Sequence, residues 1–160
     1  MIRLLGFIVG LAALSVNLSS QGRPVVVVNA FTVVAGVELP YDMELLQKQL
    51  VPELKVLLGK QFDVVAEEPQ AAQGAVYVLH GEISGWRAGN AAKRLIVGLG
   101  SGREASDIQY RITDASGTTV VDQKDTVRTN FYSQQAGSSG TLAHPIAQKL
   151  AERIRDARLK

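Results

Sequence analysis

The sequence predicts an α+β fold: a two-layer sandwich, with a mainly antiparallel sheet of about five strands and helices on one face. Three observations predict it. Two segments, one beginning near Met43 and one ending the chain, repeat apolar residues at helical spacing. Between them lie segments in which apolar and polar residues alternate, the pattern of strands with one wet face. No internal repeat and no linker divides the chain, and 160 residues suit a single domain.

Met1-Ile2-Arg3 is a short cationic start, followed by an uncharged apolar run from Leu4 to Leu14 and then by Ser15, Asn17, Ser19 and Ser20. This is the order of a secretory signal peptide. The run is too short to cross a bilayer core, which takes about 20 residues. The expected organisation is therefore a signal peptide over residues 1–22 and one α+β domain over 23–160. Cleavage after Ser15 and cleavage after Gly22 both fit the small residues upstream, and an uncleaved leader is the alternative.

Val25 to Val28 is an unalternated β-branched run, which suits a central strand. After Gly36 and Pro40, Asp42 can cap a helix by accepting a bond from a free N–H. Met43, Leu46, Leu50, Leu54, Leu57 and Leu58 form that helix's apolar stripe, and Gly59 ends it. Pro52 lies inside it and should kink or split it. Strands are expected at Phe62–Ala66, Ala75–Trp86, Ser106–Asp114 and Thr118–Thr129. The last two form a hairpin around Asp114-Ala115-Ser116-Gly117, where Gly117 can take a positive φ. Thr141 is the expected cap of the final helix, whose stripe is Ala143, Ile146, Ala147, Leu150, Ile154 and Ala157.

Composition excludes several chemistries. There is no cysteine, so disulfides, thiolate metal sites, thiol nucleophiles and cysteine-borne lipid anchors are ruled out. A net charge of +2 is too small a margin to imply a nucleic-acid partner. The two histidines, His80 and His144, are far apart and lack metal-ligand spacing. No Gly-x-Ser-x-Gly elbow is present. Gly98-Leu99-Gly100-Ser101-Gly102 has the wrong spacing for a dinucleotide loop and leads into a strand rather than a helix. No catalytic residue, metal or cofactor is therefore expected.

The most distinctive segment is the connection between the second and third long strands. Arg87, Lys93, Arg94 and Arg103 supply four cations, and the span 86–103 holds no acid. Leu95, Ile96, Val97 and Leu99 lie among Gly89, Gly98, Gly100 and Gly102. Two readings stay open. The connection is a glycine-hinged crossover whose apolar residues fold back on the core, or it is an interaction loop. As a loop it would dock these cations and apolar side chains on an anionic membrane surface or on an acidic protein groove.

At this segment a resemblance enters. Val78-Leu79-His80-Gly81-Glu82-Ile83, Gly89-Asn90-Ala91-Ala92-Lys93-Arg94 and Val97-Gly98-Leu99-Gly100-Ser101-Gly102 resemble the bacterial domain of unknown function 4410 family. The likeness continues through the turn ending at Gly117 and the final helix, over Val25 to Arg158. That family consists of exported proteins, many of them lipoproteins. It looks similar to envelope accessory domains such as the activator lipoprotein of penicillin-binding proteins, the Tol-Pal translocation protein's amino-terminal domain and the curli export lipoprotein. The resemblance implies a small sandwich that acts through protein contacts. It maps glycines and an arginine onto Gly89, Arg94, Gly98, Gly100 and Gly102 without assigning them a role, and it carries over no catalytic residue. The chain lacks a lipobox cysteine, so lipid anchoring is not expected. The expected function is a non-enzymatic periplasmic or envelope protein that binds an envelope protein or an anionic membrane surface. The alternative is a homo-oligomeric subunit of an envelope assembly or secretion-type complex.

Overall fold

The computed structural model describes residues 22–89, 103–128 and 142–159. The expected signal peptide lies outside them except for Gly22. In chain order the elements are β1 (Val25–Val28), β2 (Thr32–Val33), α1 (Met43–Leu58), β3 (Asp63–Val65), β4 (Val76–Arg87), β5 (Ala105–Asp114), β6 (Thr119–Arg128) and α2 (Ala143–Asp156). They form the expected α+β sandwich, with six strands rather than about five.

The sheet runs β3-β1-β4-β5-β6, and the short β2 pairs with β4 beyond the end of β1. It is more mixed than the sequence suggested. β1 is parallel to both β3 and β4, and β2 is parallel to β4, while β4, β5 and β6 form an antiparallel meander. The parallel half follows from α1, which carries the chain from β1 to a neighbouring strand running the same way. It also explains the valine run. All four residues of β1 are buried: Val26 and Val28 join the main core, while Val27 lies between Val65 and Val78 on the other face. β2 carries too short a pattern to be read from the sequence.

α1 presents Leu46, Leu50, Leu54 and Leu58 to the core, and α2 presents Ile146, Leu150 and Ile154. The Asp42 carboxylate accepts from the Glu44 N–H at 2.9 Å, as the cap reading expected. Pro52 does not split the helix, which continues from Met43 to Leu58. Both Pro52 and Lys48, whose carbonyl loses its donor, are exposed, so water can satisfy that carbonyl. The residue preceding α2 is Leu142, without a side-chain cap bond, and Thr141 lies outside the described residues. The hairpin turn is as expected: Gly117 has φ +81°, and Asp114 Oδ1 accepts from the N–H groups of Ser116 and Thr118.

Two features key the layers together. Gly81 faces the core directly beneath Phe31, and a methyl there would fall inside the Phe31 ring. Asp125, on the helix-facing side of β6, accepts from the buried Tyr110 hydroxyl at 2.6 Å and from Arg153 of α2 at 2.8 and 3.1 Å. The Arg153 bonds and then the Tyr110 bond hold the Asp125 carboxyl below its usual range. Burial, reinforced by Asp125, pushes the Tyr110 hydroxyl up.

Asp125→Ala leaves a buried hydroxyl and a partly buried guanidinium without their acceptor. It should cost about 1–3 kcal/mol in urea unfolding at neutral pH. Because the folded carboxyl is depressed, its contribution is full above about pH 4 and fades as pH falls through the folded value. The gap between wild type and Asp125→Ala should therefore narrow in acid. Gly81→Ala should destabilise by about 1–3 kcal/mol through overpacking against Phe31, read as a lower urea midpoint at unchanged slope.

Candidate functional site

β4 and β5 are joined by the connection singled out in the sequence, and its ends are described. Arg87 is the last residue of β4, Gly89 follows two positions on, and Arg103 stands two residues before β5. Lys93, Arg94, Leu95, Ile96, Val97, Gly98, Leu99, Gly100 and Gly102 lie outside the described residues.

The base of this connection is built by an irregularity in β4. The register shifts between Ile83 and Gly85, which places Trp86 opposite the buried Ser106 and on the core side. Trp86 Nε1 then donates to Glu104 Oε1 at 2.8 Å, and the Ser106 hydroxyl donates to the Gly85 carbonyl at 2.9 Å. On the opposite face, Arg87 forks onto Asp107 with bonds of 2.6 and 3.0 Å, and the Thr126 hydroxyl donates to the same carboxylate at 2.6 Å. Arg87 and then Thr126 hold the Asp107 carboxyl below its usual range. One of the four cations of the connection is thus neutralised within the sheet by an acid twenty positions away. Beside this base the Tyr41 hydroxyl is pushed up to about 12 by burial and then by the Glu104 carboxylate.

The face of the sheet away from the helices is polar. Cross-strand pairing aligns Thr32, Glu82, Gln109 and Lys124 in one row, and His80, Arg111 and Asp122 in the next. Thr32, His80, Glu82, Gln109, Arg111 and Thr113 line a groove of about 410 Å³ there. Asn29 Nδ2 donates to His80 Nδ1 at 3.2 Å, and Arg111 pairs with Asp122 at 3.2 Å. His80 and Glu82 share this face, as their spacing implied. His144 Nδ1 lies 2.9 Å from Glu53 Oε2 and links α2 to α1.

A second cleft, of about 560 Å³, opens where the helices end, lined by Arg23, Arg155 and Arg158 among others. Arg23 donates to the Gly59 carbonyl and pairs with Asp63, and Arg155 donates to the Leu57 carbonyl. These arginines satisfy the carbonyls at the end of α1. Among the described residues no group of three or more His, Asp or Glu is placed to hold a metal ion. No described helix is long and apolar enough to cross a membrane. The open face can hydrogen-bond and pair charges over a broad area. The alternation of β5 in the sequence puts Asp107, Gln109 and Arg111 on this outward face, where the structure has them; sequence reasoning missed the pairing of Asp107 with Arg87 and of Arg111 with Asp122. Glu104, which meets Trp86 on the core side, had no such signal in the sequence.

These features belong to a small α+β sandwich. The chain belongs to the family described as domain of unknown function (DUF4410), whose model matches residues 38–144. No curated protein matches the chain. Among solved structures, a PelC variant dodecamer from Paraburkholderia phytofirmans is similar, with 16% identity, 86% of each chain covered and a TM-score of 0.47. A second PelC dodecamer from the same organism shows 20% identity over 82% of this chain and 89% of that one, with a TM-score of 0.46. A neuraminyllactose-binding hemagglutinin homolog from Helicobacter pylori shows 12% identity over 84% and 83%, with a TM-score of 0.44. Likeness at this level transfers neither a ligand nor an assembly to this chain.

Asp107 contributes to the loop base mainly above about pH 4, because its folded carboxyl is depressed and the contribution fades as pH falls through that value. Relative to the intrinsic rate at each pH, amide exchange at Gly85–Arg87 should therefore be faster in acid for the wild type. Asp107→Asn should show the faster exchange already at neutral pH, with little change in global stability, since the pair is exposed.

Proposed function

We propose that this protein is a non-catalytic component of the bacterial envelope that binds a protein partner through the uncovered face of its sheet. The observation that carries the reading is the asymmetry of the two layers. Among the described residues both helices cover one face, and the other is left as polar rows with a groove through Thr32, Glu82, Gln109 and Arg111. A wet antiparallel face needs no second layer for stability, so it is available for binding. The connection between β4 and β5 springs from the end of this same meander, and Lys93 and Arg94 within it suit an acidic partner. The leader-like order of residues 1–22 supports export to the periplasm. The reading requires no cofactor.

A second reading is favoured by one observation, the length of β6. A ten-residue strand forms the edge of the sheet among the described residues, which suits a subunit of an oligomeric envelope assembly.

The test uses the full chain as bait on envelope extracts, beside vesicles of phosphatidylethanolamine and phosphatidylglycerol. Glu82→Arg combined with Gln109→Arg should lower capture of the partner at least tenfold, while the unfolding midpoint stays put. Arg94→Glu with Leu95→Asp should weaken it further if the connection contributes. Capture indifferent to both pairs of substitutions would overturn the reading. Sedimentation with the vesicles, lost in Arg94→Glu/Leu95→Asp, would replace the protein partner by the membrane surface.

A further inference from the structure

Among the described residues β6 has a free edge, and its charge pattern selects its own copy. We infer that β6 pairs antiparallel with β6 of a second chain, about a twofold axis at Gln123, to make one continuous sheet across the dimer. The inference rests on the assembly reading and names its interface.

The direction of the backbone groups comes first. The Asn29 N–H donates to the Leu79 carbonyl, so Leu79 turns its backbone towards β1, and Val78, His80 and Glu82 turn theirs towards β5. Their partners Thr113, Arg111 and Gln109 therefore face β4, and Ile112, Tyr110 and Ile108 face β6. The bond from the Asp114 N–H to the Thr118 carbonyl fits the same phase. In β6, Val121, Gln123 and Asp125 are consequently bonded to β5. The N–H and C=O groups of Asp122, Lys124 and Thr126 point out along the free edge, and no described strand meets them.

The side chains choose the partner. Asp122 faces the polar side, where it pairs with Arg111, and Lys124 stands on the same side two residues on. With the axis at Gln123, Asp122 of each copy lies directly opposite Lys124 of the other. Opposite charges in that relation attract, and like charges repel. An axis at Asp122 or at Lys124 sets identical charges face to face. An axis at Asp125 sets two copies of that carboxylate together beside the Tyr110–Arg153 network. A lone charge on an edge strand, a lysine above all, opposes pairing with other strands. An acid and a base flanking a neutral residue do the reverse, since the pattern is complementary to itself under a twofold. Val120, 39% exposed, falls beside Thr126 of the second copy and loses apolar surface to it. Strand pairing alone covers less area than a stable interface of about 1,200–2,000 Å², so the dimer should be weak and concentration-dependent.

The chain has no cysteine, which makes the register directly testable. Gln123 would form a non-hydrogen-bonded pair with itself, with Cα atoms about 4.5 Å apart, within disulfide range. Gln123→Cys should give a covalent dimer on mild oxidation, and Thr119→Cys should not. In sedimentation equilibrium the wild type should dimerise, and Lys124→Glu should weaken association at least tenfold while its melting curve is unchanged. A protein that stays monomeric at millimolar concentration would overturn the inference together with the assembly reading. An oligomer that ignores Lys124→Glu, and in which the Gln123→Cys variant forms no crosslink, would overturn the inference alone.

Discussion

Among the described residues the sheet is covered on one side only, and the rest of this structure follows from that constraint. Both helices lie on one face, and Asp125 fastens that layer to the sheet by accepting from Tyr110 below it and Arg153 above it. The attachment sits on the last strand rather than the middle. α2 is therefore tied to β6 and α1 is packed on α2, with the leucines of α1 and the isoleucines of α2 filling the space between. Nothing in this arrangement requires a second layer on the far face. Its residues are largely polar where the antiparallel strands β4, β5 and β6 run, and valine where the parallel β1 is flanked on both sides.

The same constraint shapes the base of the β4–β5 connection. A shifted register in β4 turns Trp86 towards the core, where its N–H finds Glu104, and keeps Arg87 on the wet face, where it finds Asp107. The connection therefore leaves the sheet from a fixed platform. Its first cation is bound to that platform, and adhesive charge in this region has to come from residues other than Arg87.

What could be read in the sequence was local. The leucine spacing of α1, the Asp42 cap, the strict alternation of β5 and the Gly117 turn each depend on residues within a few positions of one another, and each stands in the structure. What could not be read depends on distant partners. Asp107 finds Arg87, His144 finds Glu53 and Asp125 finds Arg153 across 20, 91 and 28 positions. The parallel pairing of β1 was hidden because a valine run looks the same in either direction. Gly81 stood in the family-like segment as a bare letter, and the Phe31 ring above it supplies the physical reason. Of the candidate loop, Arg87, Gly89 and Arg103 can be placed, and the residues between them carry the sequence reading alone.

The central claim is that the β6 edge, where the open polar side of the sheet ends, pairs with a second copy. Site-resolved amide exchange of the full chain, at low and high protein concentration, tests it most directly. Val121, Gln123 and Asp125 should exchange slowly throughout, while Asp122, Lys124 and Thr126 exchange fast when dilute and slow as concentration rises. Exchange along β6 that is uniform, or unaffected by concentration, would contradict the account.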